Sequence, residues 1–221
     1  YLVCFCSQKG FCGNFNDKAL GKLMIRLAPL RMHTNVEILM VGRRQSKWAN
    51  ILKRPFEHID AKERSYFTEF APFVERWIAD IQAGKRVEVY FVYNELVTIL
   101  QQNPIVKQVF PALAKPTADA RTELLFDPDG ETLFPSLLKA YFEANLAQVY
   151  WDSLAGEYCS RLLTMKKAND NATLIIDDLQ LNYNKTRQSK ITQELSEIIS
   201  AFDVLKLINE KKENMLVHTS K

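Results

Sequence analysis

"YLVCFCSQKGFCGNFN", residues Tyr1 to Asn16, is the stretch on which the fold turns. Tyr1–Cys6 is an apolar run that reads as a buried strand, and Ser7–Asn16 is a glycine-containing turn leading into helical periodicity. A strand that runs through such a turn into a helix opens a βα unit, where a phosphate often sits on the helix N-terminus. The spacing here matches neither phosphate-binding pattern. GxxxxGK(S/T) is absent, and Gly10 and Gly13 stand three apart with Phe11 and Cys12 between them, which is not GxGxxG. The residues favour a tight turn whose backbone packs closely on a neighbour. A nucleotide site is the weaker alternative.

Outward from this unit, strand and helix signals alternate. Asp17–Met32 reads as a helix capped by Asn16 or Asp17, with Leu20, Leu23, Met24 and Leu27 on one face. Val36–Val41 reads as a second strand. Ala61–Gln82 reads as a helix with Phe67, Phe70, Val74, Trp77, Ile78 and Ile81 at helical spacing, kinked or broken at Pro72. Val87–Tyr93 is β-branched and aromatic, a third strand. Gln101–Ala120 holds Pro104, Pro111 and Pro116 and reads as irregular. Thr122–Phe126 reads as a short fourth strand ending in the turn "DPDG". The alternation predicts a three-layer, Rossmann-like α/β domain over residues 1–131, with a mainly parallel sheet whose edges are open to an antiparallel strand.

The pattern then changes. After Pro135, which suits the first turn of a helix, no proline follows, and Gly156 is the only glycine. Residues 132–208 form a nearly unbroken helical stretch, and 209–221 a polar, frayed tail. Roughly 75 helical residues span about 110 Å. A compact chain of this length has a radius of gyration near 17 Å, so most of the helix is expected to project. Its apolar stripe, Tyr158, Leu162, Met165, Asn169, Ala172, Ile176, Leu179 and Tyr183, alternates four and three apart, as a coiled-coil seam does. It continues through Arg187, Ile191, Leu195, Ile198, Phe202 and Leu205, where steps of four predict local unwinding. Asn169 and Arg187 are polar members of the seam, set there to fix register or to touch a partner. A lone amphipathic rod leaves its stripe uncovered, so a partner helix is expected. The chain opens at Tyr1 inside a strand-like run, which reads as a fragment or processed chain whose upstream segment would supply that helix.

Composition excludes several classes. Net charge is +3 over 221 residues, with no lysine/arginine block, which argues against a nucleic-acid surface. No apolar run reaches the roughly 20 residues of a membrane span. Cys4, Cys6, Cys12 and Cys159 read as buried free thiols, because Cys4, Cys6 and Cys12 with His33 match no zinc spacing. His33, His58 and His218 fall in no nucleophile or metal motif and are expected on the surface or in loops. No catalytic set, cofactor site or metal site emerges. Glu157, Asp177, Asp178, Glu194 and Glu197 read as helix surface charge. Asn171-Ala-Thr and Asn184-Lys-Thr match the glycosylation pattern but fall inside the rod.

At this point the residues carry a family resemblance. "SQKGFCGNFN" resembles the S-D/E-R/K-G-L/F-A/C-G-x-F/L/Y-N stretch of the F-type ATP synthase gamma subunit. Glu157-Tyr-Cys-Ser-Arg-Leu-Leu-Thr-Met165 is similar to that family's S-E-x-x-A-R-M-x-A-M, with Asn169-Asp-Asn-Ala172 following. Tyr183-Asn-Lys-Thr-Arg-Gln-Ser-Lys-Ile-Thr-Gln-Glu-Leu-Ser-Glu-Ile198 is similar to Y-N-x-x-R-Q-x-x-I-T-x-E-L-x-E-I, and Val92-Tyr-Asn94 also fits. The resemblance covers Tyr1 to about Leu205.

It implies a central rotor stalk with no catalytic site of its own. In the family, N- and C-terminal helices form an antiparallel coiled coil inside a ring of three alpha and three beta subunits. The α/β domain sits near the epsilon subunit and the c-ring, and rotation couples proton or sodium flow to ATP synthesis or hydrolysis. The implied place is the cytoplasmic face of a bacterial inner membrane, peripherally bound, or an organellar inner membrane. The family's N-terminal helix is absent here. The resemblance assigns Arg161, Arg187, Gln188, Thr192 and Glu194 to contact and coupling with beta subunits, and makes the glycine turn structural. Departures are Ala201-Phe202 for a Gly-Ala pair, Leu162 for a methionine, and Gly156-Glu-Tyr-Cys for serine and alanine, expected to loosen the helix there. The alternative function is a stand-alone nucleotide-binding α/β protein with a helical oligomerisation arm.

Overall fold

The computed structural model of the chain describes residues 1–30, 35–43, 46–60, 66–112 and 129–218, without the side chains of 46, 47, 49, 131 and 209–218. The first strand, β1 (Leu2–Phe5), lies in the middle of a five-stranded sheet. On one side it pairs in parallel with β2 (Ile38–Val41), which pairs in parallel with β3 (Glu57–Ile59). On the other it pairs in parallel with β4 (Val89–Thr98), which pairs antiparallel with β5 (Gln101–Phe110). The order is β3-β2-β1-β4-β5, a parallel sheet with one antiparallel edge.

Side chains alternate along β1, and this sorts the layers. Val3 and Phe5 join Leu39, Val41 and Phe91 on one face, covered by α3 (Tyr66–Gln82) and the first part of α4 (Gly130–His218). Leu2, Cys4 and Cys6 join Ile38, Met40 and Val92 on the other, covered by α1 (Phe15–Leu27) and α2 (Ser46–Leu52). The result is the expected three-layer α/β arrangement.

The helices follow their apolar spacing. Ala19, Leu20, Leu23 and Leu27 bury one face of α1, which stops just before Pro29. Its start lies earlier than the sequence suggests: Asn14 is the cap residue, without a side-chain cap bond, and Asn16 is already helical. α3 runs through Pro72 as one helix, so of the expected kink or break the break does not occur. Its buried face uses Tyr66, not Phe67, which is more than half exposed. Tyr66 stacks on Tyr150 of α4 with ring centroids 4.7 Å apart. On α4, Leu138, Phe142, Leu146 and Val149 recur at helical spacing and are buried on the sheet, with Phe142 edge-on to Trp77 at 5.4 Å.

Three elements depart from the sequence reading. Gln101–Phe110 is not irregular but is the strand β5, and Pro104 is tolerated because β5 is an edge. α2 and β3 carry no strong periodic signal and were not expected. The proposed strand at 122–126 and His33 lie outside the described residues. Two compact units are present, Tyr1–Lys166 and Lys167–Lys221. The first holds the sheet and the start of α4. The second is helical throughout its described length, to His218, and every described side chain from Lys167 to Ile208 is exposed.

Candidate functional site

A parallel strand delivers its following loop to the C-terminal edge of the sheet, where α/β proteins hold ligands. The Ser7–Asn16 loop stands there, and what fills it is the chain itself. Glu157 of α4 is buried, and its carboxylate accepts hydrogen bonds from the backbone N–H of Gln8 at 2.9 Å and of Lys9 at 3.1 Å. Arg161, one turn further along, donates to the same carboxylate. Its Nε also donates to the Gly10 carbonyl at 3.1 Å and an Nη to the Lys9 carbonyl at 3.4 Å, while the guanidinium lies 5.5 Å from the Tyr158 ring. Ser160 Oγ donates to the Cys12 carbonyl at 2.7 Å.

The loop is shaped for this contact. Phe11 and Gly13 take positive φ values of 62° and 59°. A Cβ on Gly13 would come within 3.0 Å of Thr164 Oγ1. Asn16 ties off the loop, accepting from Ser7 N–H at 2.8 Å and donating to Ser7 Oγ at 2.8 Å. Gly156 is also crowded, though less tightly: a Cβ there would stand 3.3 Å from Phe15 Cε2 and 3.5 Å from the Asn94 carbonyl. The glycine does not loosen α4, which continues through it. It lets the helix approach the sheet.

Glu157 is therefore not the surface charge expected from the sequence. Two of the loop's backbone amides, those of Gln8 and Lys9, are occupied by this carboxylate. Gly156 beside it was the available signal, since an isolated glycine kept inside a helix usually has a packing reason. His58 is likewise not a loop residue. It is partly buried on β3, and its Nε2–H donates to the Gly42 carbonyl beside the Trp48 ring. Cys4, Cys6 and Cys12 are buried free thiols, and Cys159 is a partly exposed one.

Of the residues assigned to partner contact, Arg161 is engaged in the loop of the first unit, with its side chain mostly covered. Arg187, Gln188, Thr192 and Glu194 are all exposed in the second unit. The helical repeat places Arg187 and Glu194 in line with Ile191 and Ile198, with Gln188 and Thr192 on the adjoining flank. Thr192 Oγ1 donates back to the Gln188 carbonyl at 2.9 Å, leaving the Gln188 side chain outward. The seam residues of the first unit, Tyr158, Leu162 and Met165, are 40–63% exposed. Those of the second, Asn169, Ala172, Ile176, Leu179, Tyr183, Ile191, Leu195, Ile198 and Phe202, are exposed too. An apolar line of that length carries no covering of its own within the second unit.

A family model described as ATP synthase matches residues 1–205. The ATP synthase gamma chain of Methylibium petroleiphilum is 35% identical over 213 residues, covering 90% of this chain and 71% of the relative. That of a Janthinobacterium species is 33% identical over 206 residues, with the same shares covered. Among solved structures, a chain of the Euglena gracilis mitochondrial ATP synthase, from the OSCP/F1/c-ring assembly in rotational state 3, superposes with a TM-score of 0.63. It covers 92% of this chain and 72% of that one at 18% identity. A chain from the rotor of the same organism's enzyme in rotational state 1 gives 0.57, covering 86% and 74% at 17% identity. The likeness at these identities is one of fold.

Proposed function

The chain belongs to the ATP synthase gamma chain family, and on that footing we propose that it is the central rotor stalk of an ATP synthase, a non-catalytic subunit. Rotation driven by proton or sodium flow is coupled through it to ATP synthesis or hydrolysis in the beta subunits. The alpha and beta subunits, three of each, surround the Lys167–Ile208 helix. The epsilon subunit and the c-ring meet the α/β unit. A second helix, the family's N-terminal one, covers the seam from Tyr158 to Phe202. The place is the inner membrane of a bacterium, on its cytoplasmic face, held peripherally. Among the described residues no helix is long and apolar enough to cross a membrane.

The observation that carries this reading is the Tyr183–Ile198 motif on a stretch of α4 whose side chains are all exposed. A shaft that turns inside a ring needs side chains that grip and release. The Arg187 guanidinium can hold a carboxylate through two parallel hydrogen bonds, a strong but directional contact that rotation breaks. Gln188 beside it adds both a donor and an acceptor. The glycine turn fits neither phosphate-binding spacing, and its Gln8 and Lys9 amides are taken by Glu157 of the same chain.

The test is assembly. The chain is mixed with purified alpha and beta subunits, with and without a supplied N-terminal helix, and followed by size exclusion and ATP hydrolysis. One copy per three alpha–beta pairs is the expected product, with the supplied helix required or strongly favouring it. If neither mixture assembles, the rotor reading fails.

A further inference from the structure

The contacts of the Ser7–Asn16 loop make up a binding site in their own right, independent of the rotor reading. We infer that the N–H groups of Gln8 and Lys9, with the Arg161 guanidinium, form a carboxylate-binding site permanently filled in cis by Glu157. The filled site, beyond apolar packing, holds the first βα loop on α4.

The geometry has the features of an anion site. Two successive backbone N–H groups converge on one carboxylate, Gln8 on Oε2 at 2.9 Å and Lys9 on Oε1 at 3.1 Å. Successive amides in a turn make such a concavity. Arg161 supplies the cation at Oε1. The occupant is buried, and a buried carboxylate is tolerated only where charge and hydrogen bonds compensate it together. Both are present. Donor and acceptor come from positions about 150 residues apart in sequence, so the contact is long-range in the chain.

Arg161 then acts as a positioning residue. Its Nε and Nη donors hold the Gly10 and Lys9 carbonyls while it pairs with Glu157. It thus grips the loop from the carbonyl side as Glu157 grips it from the amide side. This gives the residue a role inside its own chain, alongside or in place of direct contact with a beta subunit. A lysine at 161 keeps the charge and loses the fork that serves three acceptors.

The class of ligand is a small carboxylate, and the probe is formate. Hydrogen exchange is measured on the full chain over the 7–13 segment for wild type, Glu157→Ala and Glu157→Gln. Loss of the charge-assisted bonds is expected to speed exchange of this segment roughly 10- to 100-fold in both variants. In Glu157→Ala, formate restores protection saturably, and chloride at equal ionic strength does not. In Glu157→Gln the side chain still fills the space, and formate has no effect. Unchanged loop exchange in Glu157→Gln overturns the inference, and that variant decides the matter if Glu157→Ala does not fold. Equal action of formate and chloride on Glu157→Ala overturns it as well. Success here with failure to assemble on alpha and beta subunits would leave the loop site standing and remove the rotor reading.

Discussion

Asn94 on β4 donates its side-chain amide to the backbone carbonyl of Phe15, the first residue of α1, at 2.9 Å. Asn94 is fully buried, and its Oδ1 has no hydrogen-bond partner among the described residues. Gly156 of α4 stands against the same two residues, so sheet, α1 and α4 meet at one point. Asn94→Ala removes one of two bonds to the Phe15 carbonyl, which also accepts within α1, and empties the space the buried amide fills. The expected cost is about 1–2 kcal/mol, read from the urea midpoint of the full chain. A control at exposed Asn171 should shift it little.

Gly42 follows β2 at a φ of 122°, and a Cβ there would fall 2.5 Å from the Cys6 carbonyl oxygen. Both the backbone conformation and the space exclude a side chain. Gly42→Ala should cost roughly 3 kcal/mol or prevent soluble folding, since strained backbone and steric conflict add. Gly10→Ala, with nothing near its Cβ, should stay within about 0.5 kcal/mol. Comparing the two by thermal unfolding separates clash from a general intolerance of lost glycine.

Tyr93 is buried in the sheet, and burial, helped by the Glu95 and Asp152 carboxylates, pushes its phenol up to about 12 from an ordinary 10. The folded form resists ionisation more than the unfolded form. Its contribution is thus whole below pH 10 and is lost as pH rises towards about 12. Over that window roughly 2–3 kcal/mol disappears. Tyr93→Phe should make the alkaline decline in stability shallower, measured by denaturant unfolding across the window. An unaltered decline would assign the effect to other groups.

Ile176 and Leu179 are 62% and 60% exposed on the second unit. Replacing both with serine should change stability of the chain by no more than about 0.5 kcal/mol, because neither is packed. If the seam is covered in the assembled enzyme, the same change should weaken assembly with alpha and beta subunits and the supplied helix at least tenfold. Burying each such side chain is worth about 1.5–3 kcal/mol. Co-purification yield of wild type against the double variant checks this.

Local pattern made part of this fold readable. β1, β2 and β4 are apolar runs because they lie inside the sheet, and α1 and α3 show one-faced spacing because one face is covered. β5 hid because an edge strand is only half buried and carries Pro104, so its residues neither alternate cleanly nor form an apolar block. Three-residue β3 is too short to show a period. The choice of Phe67 over Tyr66 failed for a different reason: both fit a helical face, and only the ring of Tyr150 decides between them. Glu157 was misread because its burial is made by a loop far away in sequence. The apolar stripe from Tyr158 to Phe202 shows in the sequence because it repeats along one helix, whereas Gln188, Thr192 and Glu194 are singled out by the family resemblance and by no periodicity.

The two borders of the sheet are poor templates for another strand. β3 is three residues long and faces a charged trio, with Arg76 paired to Glu57 at 2.7 Å and to Glu37 at 3.2 Å. β5 has Pro104 in place of one N–H donor. The exposed apolar surface of the second unit lies instead on a helix, whose backbone groups are already satisfied within it. Where this helix stands uncovered, the expected error is therefore winding with another helix and not fibrillar growth from a bare strand.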